Sequence, residues 1–466
     1  MRRLLTLGIT AGISLALGAC HTPGAVRLVG DASTRDAPLV DVTSPDVPPA
    51  GPDAVDLDAS GDVAPAPTDA PRCDADLART EAHCGVCGRA CGPREVCVDG
   101  ACDRVVSLAA GRDHTCAALA PSGRVLCWGS NAAGQLGLGP NASASAPTPA
   151  LVPGLDGVVE LGAGRSATCA RRGDGSVWCW GENANARGEV GRLGVGATTL
   201  AVTSPQRVLG VSGARRVIVG EETQCALLAA GEAACWGGTS LHAFGGATPD
   251  GALVTFSATP LPLQAAWPVA DLSVGANHLC ARSAEGAVRC WGANGGGQLG
   301  IGTLADRRAH PLSADAVTAG ATEVVAGARI SCAAFGGRRR VACWGSLDMI
   351  GLSREVAVVP QEVPGTDGWR GLSLTARVLC AVSGAGVGCF GENRFGQLGR
   401  ATSMTGPEPA GDVVDLRVAD GPVAAGTTHA CAVDLFGAVR CWGEDTALGD
   451  GAGFARSAPT YARDLP

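Results

Sequence analysis

The 466-residue chain contains no lysine; all 36 of its basic residues are arginine. That removes Schiff-base chemistry and the lysine of a phosphate-binding loop from consideration. Aromatic residues are scarce, with nine tryptophans, seven phenylalanines and one tyrosine. A core must therefore be built from small side chains, and Ala, Val and Gly abound. The apolar run Leu4 to Leu17 stops at 14 residues, short of the roughly 20 that a membrane-spanning helix requires. The formal charge of −8 divides as +2 over residues 1–19, −6 over 20–72 and −4 over 73–466. A chain so near balance beyond residue 72 has no electrostatic footprint for nucleic acid.

Cysteine is present in quantity, and its spacing organises the chain. Fourteen of the 21 cysteines fall into seven pairs. They are Cys116 with Cys127, Cys169 with Cys179, Cys225 with Cys235, Cys280 with Cys290, Cys332 with Cys343, Cys380 with Cys389, and Cys431 with Cys441. In all seven the second cysteine precedes an aromatic residue and a glycine, as in Trp128-Gly129, Phe390-Gly391 and Trp442-Gly443. A period of about 52 residues indicates a propeller or solenoid, in which each unit buries its apolar face against its neighbours. Cysteines 9 to 11 apart astride a glycine-containing turn sit opposite each other on paired strands, within disulfide reach. Disulfides persist in oxidising compartments, and the N-terminus points to one.

Arg2 and Arg3 precede the 14-residue apolar run, the charge and length of a secretory signal. The run ends in Leu17-Gly18-Ala19-Cys20, which resembles the lipobox of bacterial lipoproteins. That resemblance implies a signal peptide over 1–19 and lipidation at Cys20, a stable anchor at about 0.8 kcal/mol per buried methylene. His21 stands where an aspartate would signal inner-membrane retention, which favours the outer membrane or cell surface. Residues 20–72 hold nine prolines, nine aspartates and no aromatic residue, a composition expected to remain a disordered linker. Its reach is about 40 Å as a coil and up to about 150 Å when extended.

Residues 73–103 form a small cysteine-rich module containing Cys73, Cys84, Cys87, Cys91, Cys97 and Cys102. With so little else to form a core, it needs disulfides or a metal. Three disulfides suit an exported chain, and a zinc site on Cys84-x-x-Cys87 with His83 is the alternative. Six cysteines permit 15 pairings, and spacing does not choose among them.

From residue 104 to 466 each repeat reads as four short strands, and no long helical period competes. In the first, Arg104 to Ala109, Thr115 to Leu119 and Arg124 to Trp128 are extended, and Pro149-Ala150-Leu151-Val152 begins the last strand. Within it, Ala110-Gly111-Arg112-Asp113-His114-Thr115, Gly123, Trp128-Gly129-Ser130-Asn131 and Gly134-Gln135-Leu136-Gly137 resemble the regulator-of-chromosome-condensation repeat family. The fourth repeat matches through Val274-Gly275-Ala276-Asn277-His278 and Gly297-Gln298-Leu299-Gly300, the sixth through Gly391 to Gly399 and the seventh through Ala425 to His429. The resemblance implies an all-β, seven-bladed β-propeller of four-stranded blades. It also implies that the ends share a blade, with Pro459 to Ala462 in the same sheet as Arg104-Val105-Val106. Repeats three and five lack Gly-Gln-Leu-Gly, and the sixth has Thr375 for glycine and Phe390 for tryptophan, so its blade is expected to be looser.

Little in the chain points to catalysis. His114, His278 and His429 share one repeat position and are expected to bond the neighbouring loop. Gly111, Gly164, Gly220, Gly275, Gly327 and Gly426 are repeat glycines rather than a phosphate loop. Asn141-Ala142-Ser143 is an incidental sequon, and Arg338-Arg339-Arg340 a solvated hairpin tip. No catalytic residue, metal or cofactor is assigned. The repeat pattern breaks most at 182–207 and at 238–263, the latter with His242, Phe244 and Phe256; these adjacent insertions are the candidate binding surface. The expected function is a monomeric, lipid-anchored scaffold that binds an envelope or extracellular protein. An envelope polysaccharide-active enzyme and a protein inhibitor, the latter known among secreted members of the family, are the alternatives.

Overall fold

The structure, a computed structural model, describes residues 90–466 except 93–94, 99, 239–253, 264, 266, 306–316, 318, 337–339, 353–354, 385, 401–406, 420, 464 and 466. The expected lipidation site Cys20, the linker, and Cys73, Cys84 and Cys87 lie outside the described residues.

Seven antiparallel sheets follow one another in chain order and form a closed ring, with the seventh against the first. Blade 1 comprises β1 (Val96–Val98), β2 (Ala101–Ala110), β3 (His114–Ala120), β4 (Val125–Ser130) and β5 (Ser145–Leu151), paired in that order. Blade 2 spans 158–207, blade 3 214–262, blade 4 271–292, blade 5 321–362, blade 6 370–417 and blade 7 423–461. Each of blades 2 to 7 has four strands except blade 4, where three are described. The last strand of blade 1 runs over Ser145–Leu151, so it begins earlier than Pro149 and ends before Val152.

Each blade is sandwiched between two others, so its second strand is buried on both faces rather than on alternate residues. Close stacking requires small side chains. The first cysteine of every pair is followed by alanine, and Ala117, Ala170, Ala226, Ala281, Ala333, Ala381 and Ala432 are all fully buried.

All seven repeat cysteine pairs are directly opposed across the second and third strands of their blades. Cys116 faces Cys127 in blade 1, Cys169 faces Cys179 in blade 2, and Cys225 faces Cys235 in blade 3. Cys280 faces Cys290 in blade 4, and Cys332 faces Cys343 in blade 5. Cys380 faces Cys389 in blade 6, and Cys431 faces Cys441 in blade 7. Each pair is disulfide-bonded, with Cα atoms between 4.0 and 4.2 Å apart. The hairpin spacing thus leads to the bridges that the structure contains. In the cysteine-rich module Cys91 is bonded to Cys102 and Cys97 is also in a disulfide, which leaves none of the three as a thiolate for zinc.

Blades are joined by a repeated polar junction. The main-chain carbonyl of Gln135 in blade 1 accepts from Trp180 Nε1 (2.9 Å) and from the Thr168 hydroxyl (2.9 Å), both in blade 2. The Gln298 carbonyl does the same for Trp344 and Ser331 in blade 5, and the Gln397 carbonyl accepts from Trp442 in blade 7. The histidines reach across these junctions. His114 bonds Thr168 (2.9 Å), His278 bonds Ser331 (2.8 Å) and His429 bonds Thr115 (2.8 Å). Their partners are strand hydroxyls of the next blade rather than a loop. Because each hydroxyl donates to a carbonyl, the imidazole must donate from Nε2, which leaves Nδ1 unprotonated.

The ends do not share a blade. Arg456–Tyr461 pairs within blade 7, and Arg104 to Val106 belong to β2 of blade 1. Each blade is built from one continuous stretch of chain, so repeat and blade are in phase. Closure is a seventh junction like the others. Trp128 donates to the Ala447 carbonyl at 2.8 Å, and Val105, Leu126 and Trp128 share an apolar cluster with Val439, Leu448 and Leu465.

The core of blade 6 is filled. Phe390 is fully buried and packs beside Trp369 at 5.8 Å between ring centroids. A Cβ on Gly388 would lie 2.3 Å from the Trp369 ring, so this glycine makes the room. In blade 5 a 3-10 turn, Leu347–Ile350, replaces the Gly-Gln-Leu-Gly loop, and the facing Phe390 has no N–H to satisfy. At the junction of blades 2 and 3, Arg192 occupies the glutamine position and Gln224 the hydroxyl position. There Trp236 donates to the Leu193 carbonyl instead (3.0 Å).

The outer strands are exposed edges, and prolines interrupt them. Pro149, Pro205, Pro260, Pro360, Pro409 and Pro459 stand in the outer strands of blades 1, 2, 3, 5, 6 and 7, and each of these strands breaks register there. A proline cannot donate to an added strand, so these edges resist edge-to-edge association.

Mass spectrometry of non-reduced protein should recover seven intra-blade cross-linked peptides. Converting one pair to serines should lower stability by up to about 2.7 kcal/mol in chemical denaturation. Burial holds His114 down to about 4 and His278 and His429 down to about 3. Below pH 6.5 the unfolded chain binds protons that these folded imidazoles refuse, so stability falls as pH is lowered from 6.5 toward 4. The slope is about 1.4 kcal/mol per pH unit for each histidine. Replacing all three by glutamine should flatten the pH dependence of urea unfolding over that window.

Candidate functional site

A channel of about 1060 Å³ runs along the ring axis and is lined by all seven blades. It opens on the face where the first strand of each blade turns into the second. Its wall carries apolar inner-strand residues such as Leu108, Leu161, Leu272 and Leu372. Deeper, Arg216 is ion-paired to Glu160 at 3.5 Å and to Asp271.

The repeat glycines form a collar at the mouth. In every blade the N–H at this position donates to the carbonyl three residues on, from Gly111 to His114 and, in blade 6, from Thr375 to Val378. A Cβ on Gly164 would sit 2.1 Å from the Gly220 carbonyl oxygen, one on Gly275 2.1 Å from that of Gly327, and one on Gly426 2.6 Å from that of Gly111. At these glycines the collar leaves no room for a side chain. Thr375 is accommodated with its hydroxyl turned back to accept from the Val378 N–H.

Side-chain variety begins one residue beyond the collar. The positions are Arg112-Asp113 in blade 1, Arg165 in blade 2, Glu221-Glu222 in blade 3, Asn277, Arg329 and Arg377 in blades 4 to 6, and Thr427-Thr428 in blade 7. The loops after the aromatic-glycine pairs add Glu392, Arg394 and Phe395 from blade 6 and Glu444 from blade 7. Arg112 approaches Asp113 at 3.5 Å, and Arg377 and Arg394 flank Glu392 at 3.2 and 3.0 Å. Burial raises the Asp113 and Glu221 carboxyls above their ordinary values, against the pull of Arg112 and Arg165.

The insertion 182–207 rises from this same face of blade 2. Its turn is held by the Asn185 side chain, which accepts from Arg187 N–H and Glu189 N–H. It leans on blade 3, where Ala186 N–H donates to Glu222 at 3.2 Å. A hollow of about 220 Å³ lies between them, lined by Asn185, Arg187, Glu221, Glu222 and Asn277. The insertion 238–263 is described only in part; His242 and Phe244 lie outside the described residues, and Phe256 starts the outer strand of blade 3. Arg338 and Arg339 also lie outside them, and Arg340 is paired with Asp367 at 3.5 Å. With the three repeat histidines buried and the repeat cysteines in disulfides, the mouth presents charged and hydrogen-bonding side chains.

Family models for the regulator of chromosome condensation (RCC1) repeat match residues 105–135, 158–187 and 269–298, and a second such model matches 122–171. The chain is 27% identical over 396 residues to the ultraviolet-B receptor UVR8 of Arabidopsis thaliana, covering 78% of this chain and 82% of that one. It is 26% identical over 388 residues to protein RCC2 of Mus musculus, covering 73% and 70%. The fold is shared with Prp20p of Saccharomyces cerevisiae at a TM-score of 0.60 and 21% identity, over 77% of this chain and 87% of that one. The chain is a β-propeller that carries RCC1 repeats.

Within the RCC1 repeat, sequence reasoning found the insertions and missed the collar-adjacent positions. The signal was present: from blade 1 to blade 7 the residue after the collar position reads Arg, Arg, Glu, Ala, Ala, Ala and Thr. A position that varies in charge beside an otherwise repeated glycine faces something other than the next blade.

Proposed function

We propose that this RCC1-repeat propeller is a lipid-anchored, extracytoplasmic scaffold that binds a protein partner at the cell envelope through its channel mouth. The observation that carries the reading is the contrast between edges and mouth. The outer strands are blunted by proline, while the mouth gathers the charged residues that differ between repeats. UVR8 is named as a receptor, and the structural report on Prp20p concerns binding to Gsp1p and histones, which suits a propeller that works by holding other proteins. The anchor rests on the lipobox-like Leu17 to Cys20.

The test is a paired one. Cys20→Ser should move the protein from the membrane to the soluble fraction, and unchanged fractionation refutes the anchor. Pull-downs from envelope extracts should recover a partner with the native chain, and several-fold less after the 184–191 turn is replaced by a glycine-serine link. Equal recovery of background alone by both removes the binding role.

A further inference from the structure

The charges at the mouth are not evenly mixed. Blade 6 contributes Arg377 and Arg394, with side chains 52% and 64% exposed, on either side of Glu392, whose side chain is 7% exposed. That carboxylate takes one short contact from each arginine and holds both in place. A guanidinium has five N–H donors, so each still presents donors to the channel. Phe395, 41% exposed, stands beside them at the lip. Arginine next to an exposed aromatic ring is the composition of an interface anchor.

Blade 3 lies three positions away in a ring of seven, on the opposite side of the channel. It brings Glu221 and Glu222 to the lip; its own Arg216 lies deeper, engaged with Glu160 and Asp271. Along the arc from blade 7 to blade 3, Glu444, Asp113, Glu221 and Glu222 outnumber Arg112, Arg165 and Arg187, the last lining the hollow beside Glu221 and Glu222. Arg165 divides its attraction between Asp113 and Glu221, and Arg192 behind them is occupied by Glu182 at 3.1 Å. The hollow beside Glu221 and Glu222, about 220 Å³, has the scale of one side chain. A polyphosphate chain or an anionic surface would meet repulsion on this arc, whereas a segment carrying both signs is favoured at each end.

We infer that the mouth seats a protein segment with opposite charges at its two ends, an acidic side chain on Arg377, Arg394 and Phe395 and a basic side chain at Glu221 and Glu222. This rests on the mouth being a protein-binding surface, and it specifies the chemistry of what is bound.

The probe is a fluorescein-labelled synthetic peptide with glutamate and phenylalanine at one end, arginine at the other and a glycine-serine spacer between. All-acidic and all-basic peptides of equal length serve as comparisons. Fluorescence anisotropy with the purified mature chain at low salt should show the two-signed peptide binding about tenfold tighter than either. R377E/R394E should weaken it about tenfold and abolish binding of the acidic peptide. E221Q/E222Q should weaken the two-signed and basic peptides and leave the acidic one unchanged. Thermal unfolding of each variant, matched to the native chain, shows that the blades are intact. Equal affinity of all three peptides, insensitivity to both pairs of substitutions, or no binding overturns the inference. If R377E/R394E still recovers the envelope partner, the scaffold reading stands and this one falls. If the peptides behave as stated and no envelope partner is recovered, the reverse holds.

Discussion

A buried tryptophan N–H must find an acceptor, and at five junctions of this ring the acceptor belongs to the preceding blade. Gln135, Leu193, Gln298, Gln397 and Ala447 each supply a main-chain carbonyl to the next tryptophan. Leaving such a donor unpaired in a buried site costs about 1–3 kcal/mol, so these blades depend on their predecessors and blade 1 depends on blade 7. Closure of the ring is thereby enforced without a shared sheet. The dependence also explains which repeat losses occur together. Blade 5 has given up the carbonyl-presenting loop, and blade 6 has a phenylalanine with nothing to donate. Blade 3 lacks the same loop although Trp291 in blade 4 keeps its indole. Trp291 Nε1 has no partner among the described residues, and residues 239–253 lie outside them.

The directional junction and the shortage of aromatics belong to one design. Alanine after each first cysteine lets neighbouring sheets approach closely, but small side chains bury little area. Stabilisation then comes from polar contacts between blades and covalent ones within them. The division is consistent: described disulfides of the propeller lie inside blades, while tryptophan, hydroxyl and histidine contacts cross between them. A disulfide thus restrains each hairpin in the unfolded chain, and the ring still assembles through reversible bonds.

Much of this was legible in the sequence because repetition amplifies weak signals. One Cys-Gly-Cys-Trp-Gly stretch is ambiguous; seven in phase establish the period, the hairpin and the opposed cysteines. The phase of blade and repeat was not legible, because Pro459 to Ala462 reads as a strand whichever sheet receives it. Only the pairing of Arg440 with Tyr461 decides that. The prolines of the outer strands were visible, yet their meaning required knowing that those strands are edges. Blade 6 illustrates the opposite failure: Phe390 reads as a loss until Trp369, 21 residues earlier in the chain, is found filling the space beside it.

The same logic explains why the mouth was hard to find. Its residues lie immediately beyond the glycine collar, which is the most constrained backbone in the repeat. At Gly111, Gly164, Gly275, Gly327 and Gly426 a carbonyl oxygen of the next blade stands within 2.6 Å of where a side chain would begin. Such a collar cannot adjust, so side chains mounted on it hold fixed positions around the channel. Diversity there changes the charge of the mouth without disturbing how the ring is built. The insertion of blade 2 extends that rigid rim by leaning on Glu222, which couples the variable loop to the collar rather than leaving it a separate surface. The candidate loop of blade 2 and the channel mouth therefore form one continuous surface, and on the proposed reading its selectivity would reside in the charges that differ from blade to blade.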